Sequence, residues 1–357
     1  ERKRNPVNSS TSKLQGPSPS NYSVNRFKYR LPDSSKVISG GSQRVVRGFA
    51  KGFVIAPFAN PKDGLMTIPF DICNPDSKFE PESSDIPPTT PREDYEEEIR
   101  QIIRSLDDKR GKTVAARIIK VSVHTDLDTT FDSLCASYPQ AFVFMFSTPM
   151  TGTWIGASPE LLIRKEGEFI STMALAGTRL SSEQDEPWDE KNREEQAMVT
   201  EFITNCLMRH CGTVTIGKTF TKKAGPIEHI CTPISAYMPP SGLDDQYEES
   251  YNNRLRQLLT ELSPTPAVCG SDRTLSIDLI RKCESFPREM YGGFCGPNDI
   301  DGISAFYVNL RSAKVSPDAV ALYVGGGITP LSIPESEWQE TDFKSKTILS
   351  KLKTSEE

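Results

Sequence analysis

The chain has the composition of an ordinary globular protein: of its 357 residues, 36% are hydrophobic and 25% are charged, and the net charge is −6. That acidic balance, without a basic patch interleaved with aromatic residues, argues against nucleic-acid binding. No apolar run approaches the roughly 18 residues that a membrane-spanning helix needs. Eight cysteines, none in a Cys-x-x-Cys pair, are typical of reduced thiols. We therefore expect a cytoplasmic protein that binds neither nucleic acid nor membrane.

The first 24 residues are rich in Ser, Asn, Pro and Lys, a composition that predicts a disordered tail. Apolar and polar side chains alternate in residues 27–31, as in a half-buried strand, and further strands are predicted within 45–58. The stretch 74–92 is rich in proline and acidic residues, which favours a surface loop within the fold. We predict one folded domain over residues 25–353.

Helices and strands follow one another in the rest of the chain without a regular βαβ alternation. Apolar side chains at helical spacing predict a helix after Pro91: Tyr95, Ile99, Ile102, Ile103 and Leu106. Further helices are predicted at about 131–137, 189–211, 247–262 and 271–283. Strands are predicted at about 112–119, 141–146, 154–163, 169–175, 214–220, 292–296, 305–314 and 320–324. This mixture favours an α+β fold with large antiparallel sheets.

A glycine-rich stretch near the C-terminus has the pattern of a ligand-binding turn. Residues 321–328 predict a buried strand that runs into Gly325, Gly326 and Gly327. Glycine permits a positive φ and lets backbone N–H groups approach a ligand closely. A helix start follows, because Ser332 can cap and Glu335 stands three residues later.

The helix that starts there carries charged side chains on one face. Glu337, Glu340 and Lys344 stand at positions i, i+3 and i+7, so two carboxylates and an ammonium group share that face. Such a face could hold a hard cation and a carboxylate-bearing ligand. A solvated helix surface is the alternative interpretation.

Two further carboxylates stand in apolar surroundings. Glu195 continues the apolar stripe of the helix predicted at 189–211, so it is expected on the buried face, opposite a cation or in a polar cleft. A structural salt bridge is the alternative. Glu160 lies between an apparent strand and its Gly/Pro break, among apolar residues, where burial would raise its pKa and suit it to general-acid catalysis. A turn carboxylate that caps backbone N–H groups is the alternative.

Three basic residues are weaker candidates when each is taken alone. Lys112 begins a predicted strand, and His229 stands between Glu228 and an isoleucine. Arg311 follows an apolar run, where an arginine usually needs a carboxylate partner. The sequence contains no Walker phosphate loop, no strand-bound Gly-x-Gly-x-x-Gly and no Cys/His zinc spacing. Any chemistry therefore depends on carboxylates, lysine and a hard cation such as Mg²⁺.

Taken together and in order, several runs resemble the chorismate-utilising enzymes, which include the anthranilate, aminodeoxychorismate, salicylate and isochorismate synthases. The runs are GASPELLI (156–163), ALAGTR (174–179), KNREEQAMV (191–199), SPTPAVCG (263–270), MYGGFCG (290–296), VNLRSAK (308–314), YVGGGI (323–328) and EWQETDFK (337–344). They cover roughly residues 105–350. The resemblance implies a single large α+β domain with layered antiparallel sheets flanked by helices.

The resemblance also implies roles for individual residues. Glu195 and Glu340, with Glu337 close by, are similar to Mg²⁺ ligands that hold the ring carboxylate of chorismate. Tyr291 and Arg311 resemble the residues that bind the enolpyruvyl carboxylate, assisted by the backbone amides of Gly325 and Gly327. Lys344 and Thr178 resemble further substrate contacts, and His229 matches the active-site histidine of the family.

Lys112 directs the expected reaction, because family members that add water carry a lysine at the start of this strand. The resemblance implies that Lys112 deprotonates a water that attacks C2, while Glu160 protonates the departing C4 hydroxyl. We therefore expect isochorismate formation, which would feed menaquinone or a catechol siderophore. The alternatives are a salicylate synthase, which then eliminates pyruvate, an amine-forming synthase, which Lys112 disfavours, and a non-catalytic relative that binds chorismate.

One position departs from the family pattern. Many relatives have Glu-His where this chain has Glu195-Gln196, a change that keeps the expected ligand and could alter its surroundings. The resemblance implies chorismate as the small-molecule substrate and no glutaminase subunit. We expect a monomer or a weak homodimer.

Overall fold

The computed structural model describes residues 25–73, 78–106, 111–181, 187–224, 227–239 and 247–354. The disordered tail predicted for residues 1–24 lies outside this part of the chain.

Strands and helices alternate irregularly along the described chain. In chain order the strands are β1 (Asn25–Arg30), β2 (Val37–Ser42), β3 (Val46–Arg47), β4 (Gly52–Ala56), β5 (Met66–Ile68), β6 (Thr113–Ser122), β7 (Phe142–Thr148), β8 (Gly152–Ser158), β9 (Leu161–Glu166), β10 (Phe169–Leu180), β11 (Val214–Ile216), β12 (Phe220–Ala224), β13 (Ile227–Tyr237), β14 (Phe294–Asn298), β15 (Ser304–Val308), β16 (Ser312–Val315) and β17 (Ala319–Ile328). The helices are α1 (Pro61–Gly64), α2 (Arg92–Ser105), α3 (Leu127–Ser137), α4 (Glu190–His210), α5 (Tyr247–Leu262), α6 (Arg273–Cys283) and α7 (Pro334–Leu349).

The strands form two antiparallel sheets. The first has the order β2-β1-β7-β8-β16-β17-β6. The second has the order β11-β13-β10-β9-β15-β14-β4-β5-β3, and β12 pairs with β13. The predicted α+β fold with layered antiparallel sheets is confirmed.

Aromatic side chains fill the space between the sheets. Phe142 of β7 stacks on Tyr307 of β15 with ring centroids 4.2 Å apart, and Phe27 of β1 stacks on Phe53 of β4 at 5.0 Å. Such aligned rings add dispersion and quadrupole attraction to the burial of apolar area. Helix α3 covers the outer face of the first sheet, and α4 and α5 cover that of the second. The result is four layers of secondary structure.

Two of the places where the chain crosses from one sheet to the other, between β8 and β9 and between β15 and β16, are neighbours in space. The predicted strands 154–163 and 305–314 are each broken, because β8 ends before Pro159 and β15 ends before residue 309. The two crossovers are joined by backbone hydrogen bonds, from Val308 N–H to the Glu160 carbonyl (3.1 Å) and from Ala157 N–H to the Arg311 carbonyl (3.0 Å). Two predicted single strands are therefore four strands, and their breaks lie side by side.

The structure contains strands that the sequence did not predict. Strand β13 pairs with β10, β11 and β12, yet residues 227–237 contain Pro233 and lack regular alternation. Residues 227–232 are buried on both faces and include Glu228, His229 and Thr232, so polar and apolar side chains do not follow a period of two there. The segment 214–220, predicted as strand, divides between β11 and β12. The predicted long helices are confirmed, and Asp189 caps α4 by accepting from Asn192 N–H.

Candidate active site

The residues singled out from the sequence converge on one pocket beside the two crossovers. The residues expected to act in catalysis, substrate binding or metal binding all line it except Lys112 and Glu337, which contact the lining residues Glu195 and Lys191. Those that line it are Glu160, Thr178, Glu195, His229, Tyr291, Arg311, Gly325, Gly327, Glu340 and Lys344.

The glycine stretch forms one wall of the pocket and remains a strand. Gly325, Gly326 and Gly327 stay within β17, paired with β6, and none of them has a positive φ, so the predicted turn is wrong. Opposite Gly327 and Gly325 stand Val114 and Ala116, whose N–H groups donate to the Cys269 carbonyl and the Glu284 carboxylate.

The hydrogen bonds of β6 determine where the amides of β17 point. The N–H groups of Val114 and Ala116 are directed away from β17. Val114 with Gly327, and Ala116 with Gly325, are therefore non-hydrogen-bonded antiparallel pairs. The N–H groups of Gly325 and Gly327 are therefore directed to the other edge of β17. Strand β16 pairs with that edge only as far as Tyr323, so both amides face the pocket.

Glycine is needed here for close packing rather than for backbone conformation. A β-carbon on Gly327 would lie 2.7 Å from Lys112 Cε, and one on Gly325 would lie 2.8 Å from the Ala115 carbonyl oxygen. A β-carbon on Gly326 would lie 3.1 Å from Glu337 Oε2. The glycines thus let Lys112 approach one face of β17 and Glu337 the other, since successive positions of a strand point to opposite faces.

Lys112 is buried, with 2% of its surface exposed, and is ion-paired. Its Nζ lies 2.6 Å from Oε1 of Glu195 on α4. Its backbone is held on both sides by Ser271, which accepts from the Lys112 N–H at 3.0 Å and donates its own N–H to the Lys112 carbonyl at 2.9 Å. The salt bridge that was the alternative interpretation of Glu195 is therefore present, with the candidate base as its partner.

Glu160 is buried in the crossover between β8 and β9, with 3% of its surface exposed. Thr265 donates to its Oε1 at 3.4 Å. Burial raises the pKa of Glu160 to about 7, although the positive charges of Lys112 and Lys222 work in the opposite direction. A carboxyl group with this pKa can hold or release a proton near neutral pH.

A bulge in β10 presents Thr178 to the pocket. The register with β13 shifts between Ala176 and Arg179, and Gly177 has φ +70°, a conformation that favours glycine. The Gly177 carbonyl thereby lies 2.7 Å from His229 Nδ1, and Thr178 Oγ1 lies 3.4 Å from the same atom.

The surroundings of His229 determine its tautomer. A carbonyl oxygen can only accept, so Nδ1 carries the hydrogen and Nε2 is a lone-pair acceptor. Burial, together with the charge of Arg311, lowers the pKa of His229 to about 3, so the ring is neutral. Nε2 is buried without a hydrogen-bond partner in the described part of the protein. This atom can accept a hydrogen bond from a ligand hydroxyl.

Arg311 and Tyr291 supply hydrogen-bond donors to the same pocket. Arg311 is not within a strand: it lies between β15 and β16 with φ +49° and donates to Thr347 Oγ1 at 3.1 Å. Among the described residues no salt bridge joins it to a carboxylate, contrary to the expectation from sequence. Burial raises the pKa of Tyr291 to about 12, so its phenol stays protonated. Both groups can donate to an anionic ligand.

The charged face of α7 is turned inward. Glu337 is only 4% exposed, which is inconsistent with a solvated helix surface. Burial, followed by repulsion from Glu340, raises the pKa of Glu337. Burial acts against ionisation of Glu340 as well, but Lys344, with Nζ 2.5 Å from Oε1, brings its pKa below the ordinary value.

Each of the three carboxylates expected to bind metal faces a lysine. Glu195 pairs with Lys112, Glu340 with Lys344, and Glu337 lies 3.5 Å from Lys191. Within the described ranges, no group of three or more His, Cys, Asp or Glu side chains has the arrangement of a metal site. One acceptor remains unpaired, because Glu337 Oε2 is buried without a hydrogen-bond partner there.

Some pocket residues were not predicted from the sequence. Lys191 and Asn192 stand four and three residues before Glu195, so helical spacing could have placed them on its face of α4. Asn192 Oδ1 accepts from the Thr178 N–H at 3.2 Å. Tyr323 and Val268, by contrast, have no local signal.

The unusual Gln196 points away from the pocket. Its Nε2 donates to Thr200 Oγ1 at 2.9 Å and to Thr232 Oγ1 at 2.5 Å. The departure from the family pattern therefore changes the contact between α4 and β13 and leaves the Glu195 carboxylate untouched.

Comparison with known proteins shows the family. A family model described as "Chorismate binding enzyme" matches residues 72–353. The chain therefore belongs to the chorismate-binding enzyme family. It is 31% identical over 251 residues to isochorismate synthase EntC of Escherichia coli (strain K12), which is 67% of this chain and 61% of that protein. The matched part is thus less than two thirds of the relative's length.

Solved structures share the fold. DhbC from Bacillus anthracis has a TM-score of 0.76 at 22% identity, covering 92% of this chain and 96% of that one. MenF, the menaquinone-specific isochorismate synthase of Escherichia coli, has a TM-score of 0.74 at 20% identity, covering 94% and 90%. None of the helices in the described part is long and apolar enough to cross a membrane.

Proposed function

We propose that the protein converts chorismate to isochorismate, adding water at C2 and releasing the C4 hydroxyl as water. The observation that carries this proposal is the pair formed by Lys112 and Glu160. The buried Glu160 carboxyl, with a pKa of about 7, lines the pocket, and the buried Lys112 lies beside the lining residue Glu195, close enough for its charge to act on Glu160. Water addition with loss of a hydroxyl needs one base and one acid.

The proposed proton transfers balance. Lys112 Nζ, once it has released to solvent the proton that it holds in its ion pair with Glu195, takes a proton from the water whose oxygen bonds to C2. The ring double bonds shift, the C4–O bond breaks, and Glu160 gives its proton to the departing oxygen. Glu160 is then a carboxylate and Lys112 an ammonium group, so a proton has to pass between them or through solvent before the next turnover. The same two groups serve the reverse reaction with their roles exchanged.

Chorismate would be held through its polar groups. The Arg311 guanidinium, the Tyr291 phenol and the amides of Gly325 and Gly327 are donors suited to the enolpyruvyl carboxylate. His229 Nε2 is an acceptor and therefore suits a substrate hydroxyl rather than a carboxylate. Thr178 and Lys344 are proposed as further contacts. These groups would orient the ring between acid and base, which is a large part of catalysis.

The donor set is consistent with Mg²⁺ as the cofactor. Carboxylate oxygens are the ligands that this ion prefers, and Glu337 offers a buried oxygen without a hydrogen-bond partner among the described residues. We propose that Glu195 and Glu340 bind the ion, with Glu337 beside them. When bound, Mg²⁺ would supply positive charge for the ring carboxylate of chorismate. Because Glu195 and Glu340 are ion-paired, Lys112 and Lys344 would have to give way.

The cellular role belongs to the same proposal. The product would feed menaquinone or a catechol siderophore, in the cytoplasm, from a monomer or weak homodimer that needs no glutaminase subunit. Lys112 supports water rather than ammonia as the nucleophile.

Incubation with chorismate, with and without Mg²⁺, followed by liquid chromatography, tests the proposal. We expect isochorismate that forms only when the metal is present. Salicylate together with pyruvate would replace the proposed activity with that of a salicylate synthase. An amine product on addition of ammonia would assign Lys112 another role. Unchanged chorismate under all conditions would leave a protein that binds the substrate without converting it.

A further inference from the structure

Lys222 lies close to the crossover that carries Glu160. It stands on β12 directly opposite His229 of β13, so both side chains leave the same face of the sheet. Its Nζ donates to the Pro159 carbonyl at 3.2 Å and lies 3.4 Å from Met173 Sδ. Neither partner carries a charge, so the ammonium group is not neutralised by these contacts.

Side chains alternate between the two faces of β12, so Lys222 and Lys223 leave opposite faces of the sheet. Lys223 stands opposite Glu228, on the other face, with Nζ 3.8 Å from Glu228 Oε1. Both lysines line a second, mostly apolar cavity that shares Pro159 and Arg311 with the candidate pocket, and Lys222 reaches the Pro159 carbonyl from there. Its position therefore faces the site, although it does not line the candidate pocket itself.

We propose that Lys222 is a positioning residue for Glu160, holding the Pro159 carbonyl and supplying the positive charge that keeps the neighbouring carboxyl group able to release its proton. This inference rests on the proposed function only in the role of Glu160 as the acid. Lys222 touches the backbone just before Glu160, through the peptide that joins the two residues.

Three neighbouring side chains act on the Glu160 carboxyl group. Thr265, which follows α5, donates to its carboxyl, and Lys112, before β6, and Lys222, on β12, supply positive charge. Lys222 in turn faces Cys231 of β13 and Asp33, which follows β1. Burial raises the pKa of Glu160, and the two lysines limit that rise.

The limit that the two lysines set on the pKa of Glu160 matters for catalysis. A general acid whose pKa is far above the working pH is almost fully protonated but a poor proton donor, whereas one with a pKa near the working pH serves both directions of a reversible reaction. Burial alone would raise the pKa of Glu160 above that range. Lys222 offsets part of the effect of burial without occupying space in the pocket.

Direct titration of Glu160 tests the inference without any turnover. Protein labelled with [δ-¹³C]glutamate is titrated by NMR, and the Glu160 signal is assigned by its loss in Glu160→Gln. We expect a higher titration midpoint in Lys222→Met than in the wild type, and a midpoint near the wild-type value in Lys222→Arg, which keeps the charge. Lys218→Met, an exposed lysine between β11 and β12, is the matched control and should change nothing.

Kinetics give the second readout. In Lys222→Met, the alkaline fall in the pH–rate profile should move to higher pH and kcat at pH 7 should drop, while Lys222→Arg keeps the wild-type profile. An unchanged Glu160 midpoint in folded Lys222→Met overturns the inference, as does an equal shift in Lys222→Arg. If the wild type makes no isochorismate but the midpoints behave as expected, the proposed function fails and the assignment of Lys222 remains.

Discussion

The Nζ of Lys112 lies 2.6 Å from Oε1 of Glu195, although 83 residues separate them in the sequence. The two side chains meet beside Gly327, where a β-carbon would point, the lysine coming from the start of β6 and the glutamate from α4. The proposed base and a proposed metal ligand therefore share one contact. Whatever takes the carboxylate away from the ammonium group also changes the electrostatic surroundings of the base.

Lys112→Ala should abolish most turnover and leave chorismate bound. General-base catalysis contributes about a hundred- to ten-thousand-fold, so kcat should fall by that order while the dissociation constant changes little. Single-turnover assays and calorimetric titration with chorismate measure the two quantities. The matched control is Lys218→Ala, at an exposed position. Turnover near the wild-type rate in Lys112→Ala would remove this residue from the mechanism.

Because of Glu160, the rate of the reaction should fall at alkaline pH. Because a general acid acts when protonated, and the pKa of Glu160 is raised to about 7 by burial, the rate should fall as pH rises through that value. Glu160→Gln should lose about a hundred-fold or more in kcat. A pH–rate profile of the wild type, with chorismate binding to Glu160→Gln as the control for folding, measures this. A flat profile between pH 6 and 9 would contradict the assignment.

Glu160 should also contribute to the pH dependence of stability. In the unfolded chain its carboxyl ionises near the ordinary value of 4.5, but in the folded state it keeps its proton to about 7. The folded state thus binds more protons in this window, so the free energy of unfolding falls as pH rises. Relative to Glu160→Gln, the loss should approach about 3 kcal/mol above pH 7. Urea unfolding of both proteins from pH 4 to 8 measures it, and parallel curves would refute it.

Gly327→Ala should displace the base without unfolding the protein. The new β-carbon would lie 2.7 Å from Lys112 Cε, and the end of a flexible side chain can move. A displacement of about 1 Å in a catalytic group costs on the order of a hundred-fold in rate. The control is Gly212→Ala, whose β-carbon would meet nothing nearer than 3.5 Å. Equal kcat values in the two variants would show that β17 does not need glycine behind Lys112.

Glu337→Gln should weaken Mg²⁺ binding. If the buried Glu337 carboxylate assists Glu195 and Glu340, its neutralisation should raise the dissociation constant about tenfold, the equivalent of 1.4 kcal/mol. Isothermal titration with MgCl₂ at fixed pH measures this without substrate. Glu335→Gln is a close control, because that side chain is on the same helix but 66% exposed. Equal affinities in the two variants would exclude Glu337 from the site.

The pocket could be predicted from sequence because its residues stand in motifs whose order is specific. Glu160, Glu195, His229 and Arg311 are far apart along the chain, yet the structure brings them to one pocket. Periodicity alone also placed Glu195 on the buried face of its helix, since helical spacing is a local property. The helices were predicted for the same reason.

Features that depend on pairing between distant segments could not be predicted. The break of residues 305–314 into two strands follows from the meeting of two sheets, and no local pattern marks it. The bulge at Gly177 depends on the register with β13, itself a strand without alternation. The glycines of β17 suggested a turn, whereas their partner strand keeps them extended. In each case tertiary pairing overrides local preference.

The two crossovers at residues 159–160 and 309–311 make the sheets inseparable. Each sheet is assembled from several stretches of chain that are interrupted by strands of the other. Recombination that exchanges one contiguous piece for its counterpart in a relative would therefore replace parts of both layers at once and cut across the pocket. A new specificity in this architecture is accessible through point substitutions at the junction, and much less so through the shuffling of segments.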